Sequence, residues 1–421
     1  MKTVGLITEY NPFHSGHLYH MQEAKRQTGA AFSIALMSGN FVQRGEPSVF
    51  DKYTRTMAAL LAGADLVLEI PAPFSTASAR EFASYGVALL TSIGADSLVF
   101  GSECGDLASL KETAYLLASE TPSFQERLLL LQKQGLTYPQ ARARALQRPD
   151  LLSLLENPNN ILGIEYLHAA VKLKSSMELL TIKRQGKHYH DTSLPEGATD
   201  CPPSATAIRA SLRKINSVHC EKNGAEELGF LLSRLLPKVT LPAYKEAVPV
   251  FPDDLSELLN SRILDRMYSG AAERIRISDL TPDMEARLLR PPYRPLLFET
   301  RIQELKTRQM TYTRVSRALL HLILQISEVQ METWKQMGYA PYARVLGFRR
   351  SAAKAGLLGH LKQKSAIPIL TKMADAQKQL SPKAYSLLET EIRASHLYET
   401  LKSRRGGKFQ NEFTKEILIL P

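Results

Sequence analysis

The first hundred residues alternate between short, almost wholly apolar runs and longer stretches of helical periodicity. Residues 4–8, 32–37, 65–70 and 97–100 read as strands, and residues 16–27, 52–62 and 79–90 as the helices between them. Strands that are apolar on both faces need cover on both faces, so this pattern predicts a parallel sheet sandwiched by helices. Such sheets bind ligands at the carboxyl ends of their strands. The turns after the four strands are residues 10–17, Gly39-Asn40, Pro71 and Gly101-Ser102-Glu103, and they are expected to converge on one site.

The first of these turns carries the chemistry. Residues 10–17 read Tyr-Asn-Pro-Phe-His-Ser-Gly-His and hand the first strand over to the first helix. Unpaired N–H groups and the helix dipole make such a junction a natural seat for phosphate. Gly16 allows close approach of the backbone, Pro12 stiffens the turn, and His14 and His17 can donate hydrogen bonds to phosphate oxygens as charge builds.

Further along, helical patterns cover residues 106–119, 123–134, 138–147 and 160–174, and a strand at 178–182 leads into Lys183-Arg184. Residues 185–203 read as a loop over the site, and 204–212 as a helix with Ser204 or Thr206 near its start. Beyond about residue 222 strand signals nearly vanish, apart from a short candidate at 366–370. We therefore expect an α/β domain over 1–221 with a helical insertion, followed by a mainly helical region over 222–421.

Composition narrows the function. The chain has 421 residues, 44% of them hydrophobic, and no apolar run approaches the roughly 20 residues of a membrane helix. It starts straight into a strand with no leader pattern. Cys104, Cys201 and Cys220 form no CxxC pair, which predicts a cytoplasmic protein with reduced thiols. A zinc site built on Cys201 and Cys220 has no recognised ligand spacing. The net charge of +11 favours a polyanionic partner, with nucleic acid ahead of a membrane surface.

Two motifs carry a family resemblance. Residues 14–17 resemble the HxGH signature of the nucleotidylyltransferase superfamily, and Ser204-Ala205-Thr206-Ala207-Ile208-Arg209 looks like its S-x-T-x-I-R element, about 190 residues on. The resemblance narrows through 37–47 (Met-Ser-Gly-Asn-Phe-Val-Gln-Arg-Gly-Glu-Pro), 63–71, 100–103, 158–163 and 342–348 to the bacterial tRNA(Met) cytidine acetate ligase family. It covers most of the chain, to about residue 350. Many superfamily members have Gly in place of Thr8 and an acidic residue in place of Asn11; this chain follows the narrower family.

That resemblance implies a nucleotidylyltransferase-like (HUP/Rossmann-like) parallel-sheet domain and a two-step reaction. Acetate attacks the α-phosphate of ATP to give acetyl-adenylate, and the wobble cytidine of elongator tRNA(Met) takes the acetyl group on N4. The segment Ile7, Thr8, Glu9, Tyr10, Asn11, Pro12, Phe13, His14, Ser15, Gly16, His17, Leu18, Tyr19 and His20 would then wrap ATP. Gly101 would approach the adenine or ribose, Asn160 would bond the nucleotide or cap its helix, and Arg184 would face the phosphates. Ser204 and Thr206 would hold the β- and γ-phosphates. His14, His17 and Arg209 would be catalytic, Arg209 by stabilising the departing pyrophosphate. Mg²⁺ is expected only as the partner of ATP, and no stable protein partner is expected.

Lys52 and Arg55 could reach acetate or RNA, or simply form a solvated helix face, while His188 and His190 lie in the long loop. For RNA the candidates are Lys306, Arg308, Arg314, Arg317, Arg344, Arg349, Arg350 and Lys354, with Tyr312 and Tyr342 interleaved for stacking. The competing readings are a small-molecule nucleotidylyltransferase and a non-catalytic RNA-binding protein. A class I aminoacyl-tRNA synthetase has only a Lys372-Met373 fragment of its second motif here.

Overall fold

The four apolar runs of the first hundred residues lie side by side in one sheet of a computed structural model that describes residues 1–118, 121–184, 203–218, 224–270 and 273–421. They are β1 (Thr3–Thr8), β2 (Phe32–Ser38), β5 (Leu66–Ile70) and β6 (Ser97–Ser102), with β3 (Phe41–Val42) and β4 (Glu46–Pro47) forming a small separate hairpin. The segment predicted at 178–182 is β7 (Glu178–Lys183). These strands pair in parallel in the order β5-β2-β1-β6-β7. The chain order reverses between β1 and β6, so the crevice at their carboxyl ends is the topological switch point where ligands bind in such sheets.

The sheet does not stop at the amino-terminal half. β8 (Ala343–Arg349) lies antiparallel to β5, and β10 (Leu418–Leu420) and β9 (Ile369–Leu370) pair in parallel with β8. Only the last of these carried a strand signal in the sequence. Tyr342-Ala-Arg-Val-Leu-Gly-Phe contains a single short apolar run, and its strand conformation comes from docking on the edge of β5. The sheet therefore crosses the boundary expected at 221/222.

The predicted helices are present: Ser15–Thr28, Lys52–Leu61 and Ala79–Ser92 flank the sheet, and Leu107–Ala118, Pro122–Lys133, Tyr138–Ala145 and Pro158–Lys172 make the insertion. The last is anchored by Glu165, which is buried and paired with Arg142 and Arg80. Beyond the sheet, the longest helix, Pro382–Arg404, is capped by Ser381 and runs back under the carboxyl ends of β2 and β5. Among the described residues no helix is long and apolar enough to cross a membrane.

Candidate active site

Motif one sits where the sheet topology predicts. Tyr10 takes a left-handed backbone conformation, φ 49°, turning the chain sharply off β1. The turn is braced from three directions. Val49 N donates to Asn11 Oδ1 at 2.9 Å, Phe13 N donates to Tyr244 Oη at 3.3 Å, and Arg209 Nη1 donates to the Asn11 carbonyl at 2.8 Å. Tyr10 and Phe13 are fully buried, and Leu18 and Tyr19 pack against the same apolar cluster. Ile7 packs against Gly86 on the other side of the sheet.

His14 is the N-cap of the helix that begins at Ser15. Its Nδ1 accepts from Gly16 N at 3.0 Å, and His17 Nδ1 accepts from His14 N at 3.3 Å. Both Nδ1 atoms are therefore unprotonated, and each neutral ring carries its proton on Nε2. The rings stack with centroids 3.8 Å apart, and Tyr10 meets His17 edge-on at 4.9 Å. Gly16 is required here by close approach: a Cβ would sit 2.9 Å from His14 Cε1.

Burial, then Arg184 and Arg209, pull His14 down to about 3. Burial and the neighbouring His14, Arg184, His20 and Arg209 hold His17 well below its ordinary value, and burial with Arg184 brings His20 to about 4. At neutral pH the site thus offers neutral imidazole donors beside fixed guanidinium charges, a setting suited to charge developing on phosphate oxygens.

Motif two closes the other side. Ser204 Oγ accepts from Ala207 N at 3.1 Å and caps the helix Ala205–Val218, whose Ile208 is buried in the apolar cluster under motif one. Arg209 Nη2 donates to Thr206 Oγ1 at 3.2 Å. The helix start, Thr206 and Arg209 are thereby clamped against Asn11, almost two hundred residues earlier in the chain.

The third contribution comes from β6 and β7. Gly101 lies beside Arg184, whose Nη1 donates to Asn159 Oδ1 at 3.0 Å. Asn160 is buried, and its Oδ1 accepts from Glu103 N at 2.9 Å and Cys104 N at 3.2 Å. Glu103 answers in kind, accepting from Asn159 Nδ2 and from Asn160 N at 2.8 Å. In the sequence Glu103 reads only as part of the turn after β6; its hold on Asn159 and Asn160 is not legible there, because those partners lie over fifty residues away. The expected capping role belongs to neither Asn159 nor Asn160: the N-cap is Asn157, and Glu103 supplies the carboxylate at that helix start.

Several expectations require correction. Gly39-Asn40 and Pro71 do not open onto the cleft. Glu391 of the long carboxyl-terminal helix accepts from Ala72 N at 2.5 Å, and a Cβ on Gly39 would lie 2.9 Å from its Oε1. Lys52 and Arg55 are neither solvated nor available to acetate or RNA, since both are fully buried. Lys52 Nζ donates to Glu69 at 2.6 Å, Ser395 at 2.6 Å and Glu391 at 3.2 Å, and pairs with Glu412 at 3.1 Å. Arg55 donates to the carbonyls of Glu9, Ser38, Gly39 and Phe50, bracketing the ends of β1 and β2.

Among the RNA candidates, Arg344 is buried between Glu69 and Glu412, and Tyr342 is buried in the core, so neither meets a ligand. Arg317 pairs with Asp279 at 3.4 Å. Lys306, Arg308, Arg350 and Lys354 are exposed, with Arg314, Arg349 and Tyr312 half-buried. His188, His190, Cys201 and Cys220 lie outside the described residues.

The chain as a whole is similar to known proteins. The family model described as HIGH Nucleotidyl Transferase matches residues 1–412. The chain is 36% identical over 433 residues to the tRNA(Met) cytidine acetate ligase of Acetivibrio thermocellus, with 100% of both chains covered. It is also 36% identical over 427 residues to the protein of that name from Caldicellulosiruptor saccharolyticus, covering 100% of this chain and 99% of the relative. Thermotoga maritima TmcAL superposes with a TM-score of 0.87 at 29% identity in its apo form I. Bound with alpha-thio ATP in form II, it superposes with a TM-score of 0.84 at 28% identity; both matches cover 100% of each chain.

Proposed function

Because the chain belongs to the HIGH nucleotidyltransferases and, among them, to the tRNA(Met) cytidine acetate ligase family, we propose that its cleft joins acetate to a tRNA cytidine at the expense of ATP. The protein is an ATP-dependent ligase, and ATP binds at the switch point between β1 and β6. The observation that carries this reading is the clamp of Arg209 and Thr206 onto the Asn11 turn beside two neutral, Nε2-protonated histidines.

In the first step an acetate oxygen bonds to the α-phosphorus, the bond to the bridging oxygen breaks, and pyrophosphate leaves with its electron pair. His14 and His17 donate to the phosphate oxygens that gain charge, and Arg209 pairs with the leaving pyrophosphate. In the second step N4 of the wobble cytidine of elongator tRNA(Met) attacks the acetyl carbonyl. AMP departs, and the amine gives up one proton to yield N4-acetylcytidine. Magnesium accompanies ATP as part of the substrate; among the described residues no group of three or more His, Cys, Asp or Glu side chains could hold a metal ion.

The tRNA docks on the exposed basic side chains Lys306, Arg308, Arg350 and Lys354, with Arg314 and Arg349 beside them, through phosphate contacts that set its register. A tRNA substrate and the free Cys104 thiol fit a cytoplasmic enzyme.

The test is acetate-dependent exchange of pyrophosphate into ATP, with transfer of labelled acetate to tRNA(Met) as the second readout. His17→Ala should lower exchange by about 10²- to 10³-fold, the usual effect of losing one donor to a developing oxyanion. Wild-type exchange in a folded His17→Ala protein would remove His17 from the mechanism, and exchange independent of acetate would refute the ligase reading.

A further inference from the structure

The stretch Phe41-Val-Gln-Arg-Gly-Glu-Pro belongs to neither of the two motifs, yet its hairpin is held more tightly than a surface turn needs. Gln43 N donates to Glu9 Oε1 at 2.8 Å, and Gly45 N closes the turn on the Val42 carbonyl at 2.9 Å. Ser316 Oγ donates to the Gly45 carbonyl at 2.9 Å. Gly45 has φ 78°, and a Cβ there would lie 2.4 Å from Arg317 N. No other residue fits, so the tip cannot slide along the helix that it touches.

What this bracing presents is Arg44. Its Nη2 lies 3.4 Å from Thr206 Oγ1, the same hydroxyl to which Arg209 donates at 3.2 Å. With both lone pairs of that oxygen taken by guanidinium donors, the Thr206 proton is left to donate outward. Two like charges converge on one neutral oxygen, an arrangement that an anion bridging them would stabilise. Glu46 is a nearby buried carboxylate; burial raises its pKa, against the pull of Arg213, Arg209 and Arg44.

Resting on the reading of this cleft as an ATP site, we propose that Arg44 and Arg209 form a two-guanidinium clamp, centred on Thr206, for the pyrophosphate half of ATP. Arg44 is then a further catalytic residue. It binds the β- and γ-phosphates in the ground state and takes up charge as the bond to the α-phosphorus breaks. A guanidinium fork can grip two phosphate oxygens at once, which a single ammonium cannot.

The experiment measures equilibrium binding of inorganic pyrophosphate, ATP, AMP and tRNA to the full chain, comparing wild type with Arg44→Ala and Arg44→Lys. Arg44→Ala should weaken pyrophosphate and ATP by about 10- to 100-fold, the range for removing a charge-assisted hydrogen bond, while AMP binding stays within about twofold. Arg44→Lys should fall between the two, and it covers the case in which the alanine variant does not fold. Wild-type affinity for pyrophosphate and ATP in either folded variant overturns the proposal, as does an equal loss of AMP binding or a loss confined to tRNA. Pyrophosphate binding needs no acetate chemistry, so failure of the ligase reading would appear separately, as absent acetate-dependent exchange in the wild type.

Discussion

His14 and His17 owe their chemistry to what surrounds them. The same two imidazoles in water would be largely neutral at pH 7 but would choose their tautomers freely; here Gly16 N and His14 N fix the proton on Nε2. Burial and the arginines that face them hold both pKa values below the ordinary 6.5, so the folded protein refuses protons that the unfolded chain accepts. Stability contributed by these rings is fully present above about pH 6.5 and is lost progressively below it, for His14 down to its folded value of about 3. Denaturant unfolding from about pH 7 to pH 4 should show a loss of up to about 1.4 kcal/mol per pH unit for each such histidine, and His14→Gln should flatten the slope. An unchanged slope in His14→Gln would mean that His14 is protonated in the folded protein.

At the scale of elements, the site is a meeting of four segments that share no sequence neighbourhood: the turn after β1, the β3–β4 hairpin, the turn after β6 with its partner helix Pro158–Lys172, and the helix Ala205–Val218. That last helix also reaches into the carboxyl-terminal half. Arg213 pairs with Glu299 at 2.7 Å, and Glu299 accepts from Tyr312 Oη at 3.2 Å. Rigid seating of the hairpin has a measurable consequence. Gly45→Ala adds a methyl group against the backbone of Ser316–Arg317 in a conformation alanine avoids. It should destabilise the protein by roughly 1–3 kcal/mol and weaken ATP binding through the displaced hairpin. Thermal unfolding together with ATP titration checks this, and a variant equal to wild type in both would show that the tip has room to move.

Across the whole molecule, the two halves are joined by a buried charge network. Lys52 and Arg344 are surrounded by Glu69, Glu391 and Glu412, which come from β5, the long carboxyl-terminal helix and the tail. Burial and the adjacent Glu69, against the pull of Lys52, push the Glu391 carboxyl up to about 8. Arg344→Ala leaves two buried carboxylates short of a partner and should cost about 3–5 kcal/mol in unfolding free energy. A change in tRNA affinity with unaltered stability would instead place Arg344 at the RNA surface. For the RNA itself, replacing Lys306, Arg308, Arg350 and Lys354 together by alanine should spare acetate-dependent exchange. It should lower acetyl transfer and flatten the salt dependence of tRNA binding by roughly 0.7–0.9 log units for each phosphate no longer neutralised. An unchanged salt slope would move the tRNA elsewhere.

The sequence by itself determined the parallel sheet, the helix after each early strand, and the two motifs, because each depends on local periodicity or on residues a few positions apart. Tertiary structure decided what those motifs meet. Strand β8 is a strand only because β5 offers an edge, and the turns after β2 and β5 are closed because Glu391, over three hundred residues away, caps them. Lys52, Arg55 and Arg344 read as surface cations until the carboxylates and carbonyls that surround them are brought together by the fold. Charge in a sequence carries no address: whether a cation faces water, a ligand or a buried acid depends on contacts between distant segments, and only folding makes those contacts.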